Sequence, residues 1–316
     1  MMSKLLIRDR TTVGIAVPQM LPPGPTDLGL IREHLNLVEA LGYESVWTQH
    51  GVFATSPNLD PFTLLAFAAS CTRTVKLGIS VVVLPYHDPV NVAKVSASLD
   101  QISGGRLILG VGIGDGREMY PAFGFDASHR VTRFEDSVTL IRRLWTEPRV
   151  DFQDRFWSLE NVSINPKPAQ KPGIPIWFGA SADSAVERAA RMGDGFMGAG
   201  AANASDIAAF RKVLARLRYS LKRHGRDPAA FPISKRVYLA IDDDKEAANR
   251  KIQQWFMDHY HDASLGMKVS LIGSVDEVVD KLGPLAEEGL DMIMFNPVYN
   301  LIEHAQVIAE RVVPQL

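Results

Sequence analysis

The chain has 316 residues, 46% hydrophobic and 22% charged, with a formal net charge of -2. That is globular composition with ample material for a large core. It lacks the basic excess a nucleic-acid partner needs to neutralise phosphates. A single cysteine, Cys71, excludes an intrachain disulfide and any multi-cysteine metal site.

Cys71 lies in the alanine-rich stretch "LLAFAASC" and reads as a small buried hydrophobe. The N-terminal "MMSKLLIRDRTT" has no long apolar region, and no stretch approaches the roughly 20 apolar residues of a membrane span. A cytoplasmic protein without membrane contact is the expectation.

Along the chain, short apolar runs alternate with helical patterns. "VGIAVP" (Val13–Pro18) reads as a buried strand, and "LGLIREHLNLVEALG" follows as an amphipathic helix stopped by Gly42. "ESVWT" is the second strand. "DPFTLLAFAASCT" then opens on an aspartate cap with proline at the first helical position. "TVKLGISVVVLP" is a long β-branched strand, and "DPVNVAKVSASLDQIS" repeats the Asp-Pro helix start. "RLILGVG" and "RFEDSVTLIRRLW" make the fourth pair. The rhythm breaks over residues 146–175, where "DFQDRFWSL" and the proline-rich "NPKPAQKPGIP" predict an inserted hairpin and an irregular loop. Strands at "PIWFGA", "DGFMGAG", "ISKRVYLAI" and "DMIMFNP" resume the alternation with helices between them.

Eight apolar strands, mostly flanked by helices and none half-exposed, favour an all-parallel sheet covered on both faces. The count points to α/β architecture as one (β/α)8 TIM barrel, with the insertion after its fourth βα unit. No composition shift marks a boundary, so residues 1–316 read as one domain. An open doubly wound sheet with a second domain is the alternative.

The stretch "GGRLILGVGIGDG" (Gly104–Gly116) raises the question of a dinucleotide loop. A G-x-G-x-x-G fingerprint must lead directly into a helix. Here glycines recur at 110, 112, 114 and 116, and a long polar-aromatic loop follows, so the fingerprint fails. What remains is a barrel strand whose C-terminal end carries no side chains, at the face where barrel active sites sit. Bare backbone there admits a flat ring or a phosphate; relief of crowding is the competing explanation.

Several stretches together resemble the bacterial luciferase-like flavin-dependent oxidoreductases. They are "KLGISVVVLPYHDPVNVAKVSASLDQISGGRLILGVGIGDGREMYPAFG", "RFEDSVTLIRRLW", "NPKPAQKPGIPIWFGASADSAVERAARMGDGF" and the strand end "VWTQH", in the family's order. The resemblance covers roughly residues 13–297. It implies a barrel that binds reduced flavin mononucleotide (FMN) or the deazaflavin coenzyme F420 at its C-terminal face. It further implies a small organic substrate and a homodimer through helices near the second and third strands. A flavin reductase partner follows if FMN is used.

Carried over residue by residue, the resemblance puts His50 beside the ring as the proton-handling group, a role suited to an imidazole near pH 6.5. Relatives commonly have an acidic residue before that histidine; here it is Gln49. A bulge with a non-prolyl cis peptide is implied at Ser80–Val81, behind the ring. Asp115 matches an acidic position that acts on substrate in some deazaflavin enzymes. Gly112 and Gly114 form the bare strand end. Ile113 stands where many FMN-dependent relatives place a phosphate-gripping arginine, which leaves the phosphate to other partners. Candidates are Gly179, Ala180 and Ser181, read as opening a helix, with Gly198 and Gly200 beside them. The missing arginine favours F420.

No metal-ligand spacing appears: His259 and His261 in "DHYHD" are i,i+2 and cannot share a helix face. Arg130 and Arg133 are read as capping or pairing near the fourth helix. A non-catalytic accessory member of the family is the reading from a different class; a barrel hydrolase finds no support in the motifs.

Overall fold

A computed structural model of the chain describes residues 4–21, 24–53, 57–114, 116–198 and 207–316. Its strands in chain order are β1 (Thr11–Ala16), β2 (Ser45–Thr48), β3 (Lys76–Val83), β4 (Leu107–Gly112), β5 (Ile176–Ala180), β6 (Gly195–Gly198), β7 (Ile233–Ile241) and β8 (Met292–Pro297). Each pairs in parallel with its neighbours, and β1 pairs with both β2 and β8, which closes an eight-stranded barrel. The expected TIM barrel is the observed fold.

Local chemistry explains where the helices begin. Asp60 caps the helix Pro61–Cys71 by accepting from the Thr63 N–H at 2.9 Å. Asp88 caps Pro89–Ser103 by accepting from the N–H groups of Val90 and Asn91. In both, proline occupies the first turn, where its missing N–H costs nothing. Cys71, at the end of the first of these helices, is half-buried rather than fully enclosed.

Two apolar layers hold the barrel. Between strands and helices runs the main core, including Ile15, Leu35, Leu77, Leu109, Phe134, Phe178, Phe196 and Phe295. Inside the barrel a smaller cluster of Trp47, Ile108, Trp177, Met197, Met292 and Met294 fills the space. The indoles of Trp47 and Trp177 lie 6.0 Å apart, and Trp47 donates to Ser45 Oγ at 2.7 Å. A Cβ at Gly14 or Gly195 would reach 2.7 Å from Trp47 Nε1 or 2.6 Å from Trp177 Nε1, so these glycines make room for the indoles.

Three features lie outside the eight repeats. A short strand Leu6–Ile7 pairs antiparallel with β1. Val150–Gln153 and Ser158–Val162 form an antiparallel hairpin between β4 and β5. Ser270–Gly273 adds in parallel to the C-terminal end of β7, an element the sequence reading did not foresee. Arg133 ties the hairpin to the barrel mouth: its guanidinium lies 3.5 Å over Phe125 and 4.6 Å over Trp157, and its Nε donates to the Pro85 carbonyl at 3.2 Å. Arg130 donates to the Ala127 carbonyl at the start of the same helix, Arg130–Thr146.

Candidate functional site

At the C-terminal ends of the strands opens a cavity of about 330 Å³. Nine of the residues singled out in the sequence line it: His50, Ser80, Val81, Gly112, Gly114, Gly179, Ala180, Ser181 and Gly198. Ile113 lines it too. Asp115 and Gly200 lie outside the described residues.

Behind the cavity β3 carries a bulge against β4, where the register shifts between Ile79 and Val82, and the Ser80–Val81 peptide is cis. The glycines beside it serve differently from the expectation. A Cβ on Gly112 would stand 2.7 Å from Val81 Cγ2, and one on Gly179 would stand 2.8 Å from Val81 Cγ1. The space that lacks side chains on β4 and β5 is therefore taken by the Val81 methyls, and the cavity floor is an isopropyl group rather than naked backbone. Gly114, with φ at +78°, follows in the left-handed region where glycine is favoured. Gly179 and Ala180 also differ from expectation: they are the last residues of β5. The helix itself opens only at Asp183, after Ala182, which makes no side-chain cap.

The polar wall comes from β7, whose alternation sends Arg236 and Tyr238 to the cavity and Lys235 outward toward Phe210. Arg236 is 8% exposed. Its guanidinium donates to the Ser80 carbonyl, to Gln49 Oε1 at 3.1 Å and to the Tyr238 hydroxyl at 3.1 Å. Its Nε is buried without a partner, and it forms no ion pair among the described residues. Gln49 spans to β8 by donating to Asn296 Oδ1 at 3.0 Å, and its backbone is fixed on both sides by the Gln19 amide. The side chain next to His50 is thus a neutral amide that holds the arginine. Tyr238 and Tyr260 share a 2.6 Å hydroxyl contact at the rim.

His50 follows the end of β2. Its Nδ1 accepts from the Val83 N–H at 3.4 Å, and its Nε2 lies 3.0 Å from His87 Nε2. Burial, with the His87 ring as a second cause, pushes the His50 imidazole down to about 4, so it is neutral at pH 7. Burial also lowers His87. Tyr86 packs against His50 and stacks on Phe123 with centroids 4.3 Å apart, giving the mouth an aromatic flank.

Sequence reasoning missed His87 and Arg236. For Arg236 a signal existed: two adjacent cations, Lys235 and Arg236, interrupt an otherwise apolar strand. His87 sits in "YHDP", where the Asp-Pro helix start drew the whole reading. His259 stacks on Trp255 at 4.1 Å, and no cluster of three metal-ligating side chains occurs among the described residues.

The lining fits a planar, anionic cofactor. It offers an isopropyl floor on a glycine cradle, one guanidinium with a spare buried N–H, several hydroxyls, and no carboxylate among the described residues that line it.

Comparison with known proteins agrees in kind. The model of a family described as luciferase-like monooxygenase matches residues 11–270. The chain is 28% identical over 220 residues to a 5,10-methylenetetrahydromethanopterin reductase of Archaeoglobus fulgidus, covering 69% of this chain and 62% of that protein. It is 30% identical over 224 residues to an F420-dependent hydroxymycolic acid dehydrogenase of Mycobacterium tuberculosis, covering 68% and 60%. The match thus spans about three fifths of the length of these relatives. A solved monooxygenase from Streptomyces bottropensis superposes with a TM-score of 0.81 at 25% identity, covering 96% of this chain and 99% of that one.

Proposed function

The chain belongs to the luciferase-like monooxygenase family, and from that premise we propose that it is an oxidoreductase that uses coenzyme F420 to exchange hydride with a small organic substrate. The observation that carries this reading is a cavity in which His50, the Ser80–Val81 segment and the strand ends of β4 and β5 meet beside one buried cation, Arg236. Ile113, which has no donor, stands where an FMN-gripping arginine would, and a relative at 30% identity is named as F420-dependent.

The chemistry such a group supplies when bound is hydride exchange with a carbon of the substrate. The chain's own residues do the rest. Val81, seated on Gly112 and Gly179, provides a flat apolar support for a ring. Arg236 gives fixed positive charge, oriented by Gln49 and Ser80, toward an anionic part of the cofactor. Ser181, after β5, offers a hydroxyl to a phosphate. His50, neutral at pH 7, is a base rather than an acid. It suits removal of a proton from a hydroxyl as hydride leaves, which is the dehydrogenase direction. Asp115 is proposed as a further acid–base group toward substrate, and Gly200 as part of the phosphate side with Gly198.

A homodimer belongs to the same reading. It is supported by Val95 and Ile102, 43% and 62% exposed and two turns apart on the helix Pro89–Ser103, which follows β3. The lone thiol suits a reducing cytoplasm.

The FMN-dependent monooxygenase is the second reading, favoured by the Streptomyces structure, and it brings a flavin reductase as partner. Equilibrium dialysis of the purified protein against each cofactor decides. Micromolar or tighter retention of F420 with weak FMN retention is expected. The reverse order moves the assignment to the monooxygenase, and retention of neither supports an accessory protein.

A further inference from the structure

His50 and His87 approach each other through the same ring atom, Nε2, at 3.0 Å. Two lone pairs cannot meet there, so one nitrogen carries hydrogen and the other accepts. The backbone decides which. The Val83 N–H points at His50 Nδ1, so that nitrogen holds its lone pair outward. Neutral His50 must therefore carry its hydrogen on Nε2 and donate it to His87 Nε2, and His87 must then carry its own hydrogen on Nδ1. That is the minor tautomer of free histidine, imposed here by a chain of contacts from Val83 through two rings. Among the described residues, Tyr86 packs on His50, and the charge of Asp60 acts on both rings.

We propose that His87 is the relay partner of His50, carrying a proton between the cavity and solvent through the paired Nε2 atoms. The proposal rests on the reading of His50 as the group that handles the proton. The step balances without any change of oxidation state. A proton from the cavity bonds to His50 Nδ1 and displaces the 3.4 Å hydrogen bond from the Val83 N–H. The His50 Nε2–H bond breaks as a new bond forms to His87 Nε2. His87, a half-buried residue, then releases its Nδ1 proton to water. The pair ends in the opposite tautomers, with the Val83 N–H deprived of its acceptor. That loss favours return of a proton by the same route, so the relay resets. Gln49 takes no part, because its amide is committed to Arg236 and Asn296.

The test uses the cofactor-free protein, so failure of the cofactor assignment, read from dialysis, stays separate from failure of the relay. Long-range proton–nitrogen correlation spectra of 15N-labelled protein at pH 7 should show His87 protonated on Nδ1 and His50 on Nε2. The two rings are assigned by single replacement of each. His87 protonated on Nε2 overturns the pairing. Exchange of the His50 Nε2 proton with water should slow at least tenfold in His87→Phe, which keeps the ring and removes the nitrogens. His87→Asn, which retains an acceptor and cannot pass a proton on, should slow it as well. A merely structural role predicts unchanged or faster exchange in both, and that result overturns the relay.

Discussion

Replacing Arg236 with methionine separates a functional cation from a structural one. The guanidinium makes three hydrogen bonds to neutral acceptors and has no carboxylate partner among the described residues. Bonds of this charged kind contribute about 1.5–3 kcal/mol each, and an abandoned buried acceptor such as the Ser80 carbonyl costs about 1–3 kcal/mol. Against that stands the desolvation of an unpaired guanidinium, several kcal/mol by itself. Three such bonds and the abandoned acceptor come to about 5–12 kcal/mol and outweigh that penalty, so Arg236→Met should lower unfolding free energy by a few kcal/mol, measured by urea denaturation. Cofactor affinity has no such offset. Loss of one charged contact of about 2–3 kcal/mol corresponds to roughly 30- to 150-fold weaker retention in dialysis. A variant that unfolds easily yet holds the cofactor as tightly as the parent would refute the reasoning and make Arg236 a scaffold residue.

Other outcomes follow from the same structure. His34 is fully buried, bonded to the Ala16 carbonyl at 3.0 Å, and pushed down to about 4 by burial. Above pH 6.5 both folded and unfolded forms are neutral there. Below it the unfolded chain binds the proton first, so stability falls by about 3 kcal/mol between pH 6.5 and 4; His34→Gln should flatten that fall in urea midpoints taken at pH 7 and 5, and an unaltered slope counts against it. Gly112→Ala should cost about 1–3 kcal/mol by colliding with Val81, and Val81→Ala on top of it should restore most of the loss, which a double-mutant cycle measures as coupling. His50→Ala should reduce turnover far more than cofactor retention; equal loss of both removes its proton-handling role. Ile102→Glu should convert a dimer to monomer in sedimentation analysis, and a parent that already sediments as a monomer dismisses the dimer.

The barrel was legible because most of its strands are short apolar runs, and Asp-Pro pairs announce two of its helices outright. Ser270–Gly273 escaped because four residues between helices carry no period of their own, and their pairing with β7 depends on contacts distant in sequence. Within the site, the strand-end residues were readable because topology alone brings strand ends to one face. The partnerships were not. That Val81 fills the room above Gly112 and Gly179, that Gln49 holds a guanidinium from β7, and that His87 reaches back to His50 are cross-barrel contacts between residues 31 to 187 positions apart. Sequence reading ranks residues singly, and these roles exist only in pairs.

The two indoles inside the barrel give the molecule an optical property. Trp47 and Trp177 are nearly sealed from water, lie within one apolar cluster, and share it with Val81 and Met197, which also line the cavity. A ring that absorbs in the near ultraviolet or blue, lodged on the Val81 floor, would stand next to these emitters and drain their excited state by resonance transfer. Occupancy of the barrel mouth should therefore be readable as a dimming of intrinsic emission, with no label attached.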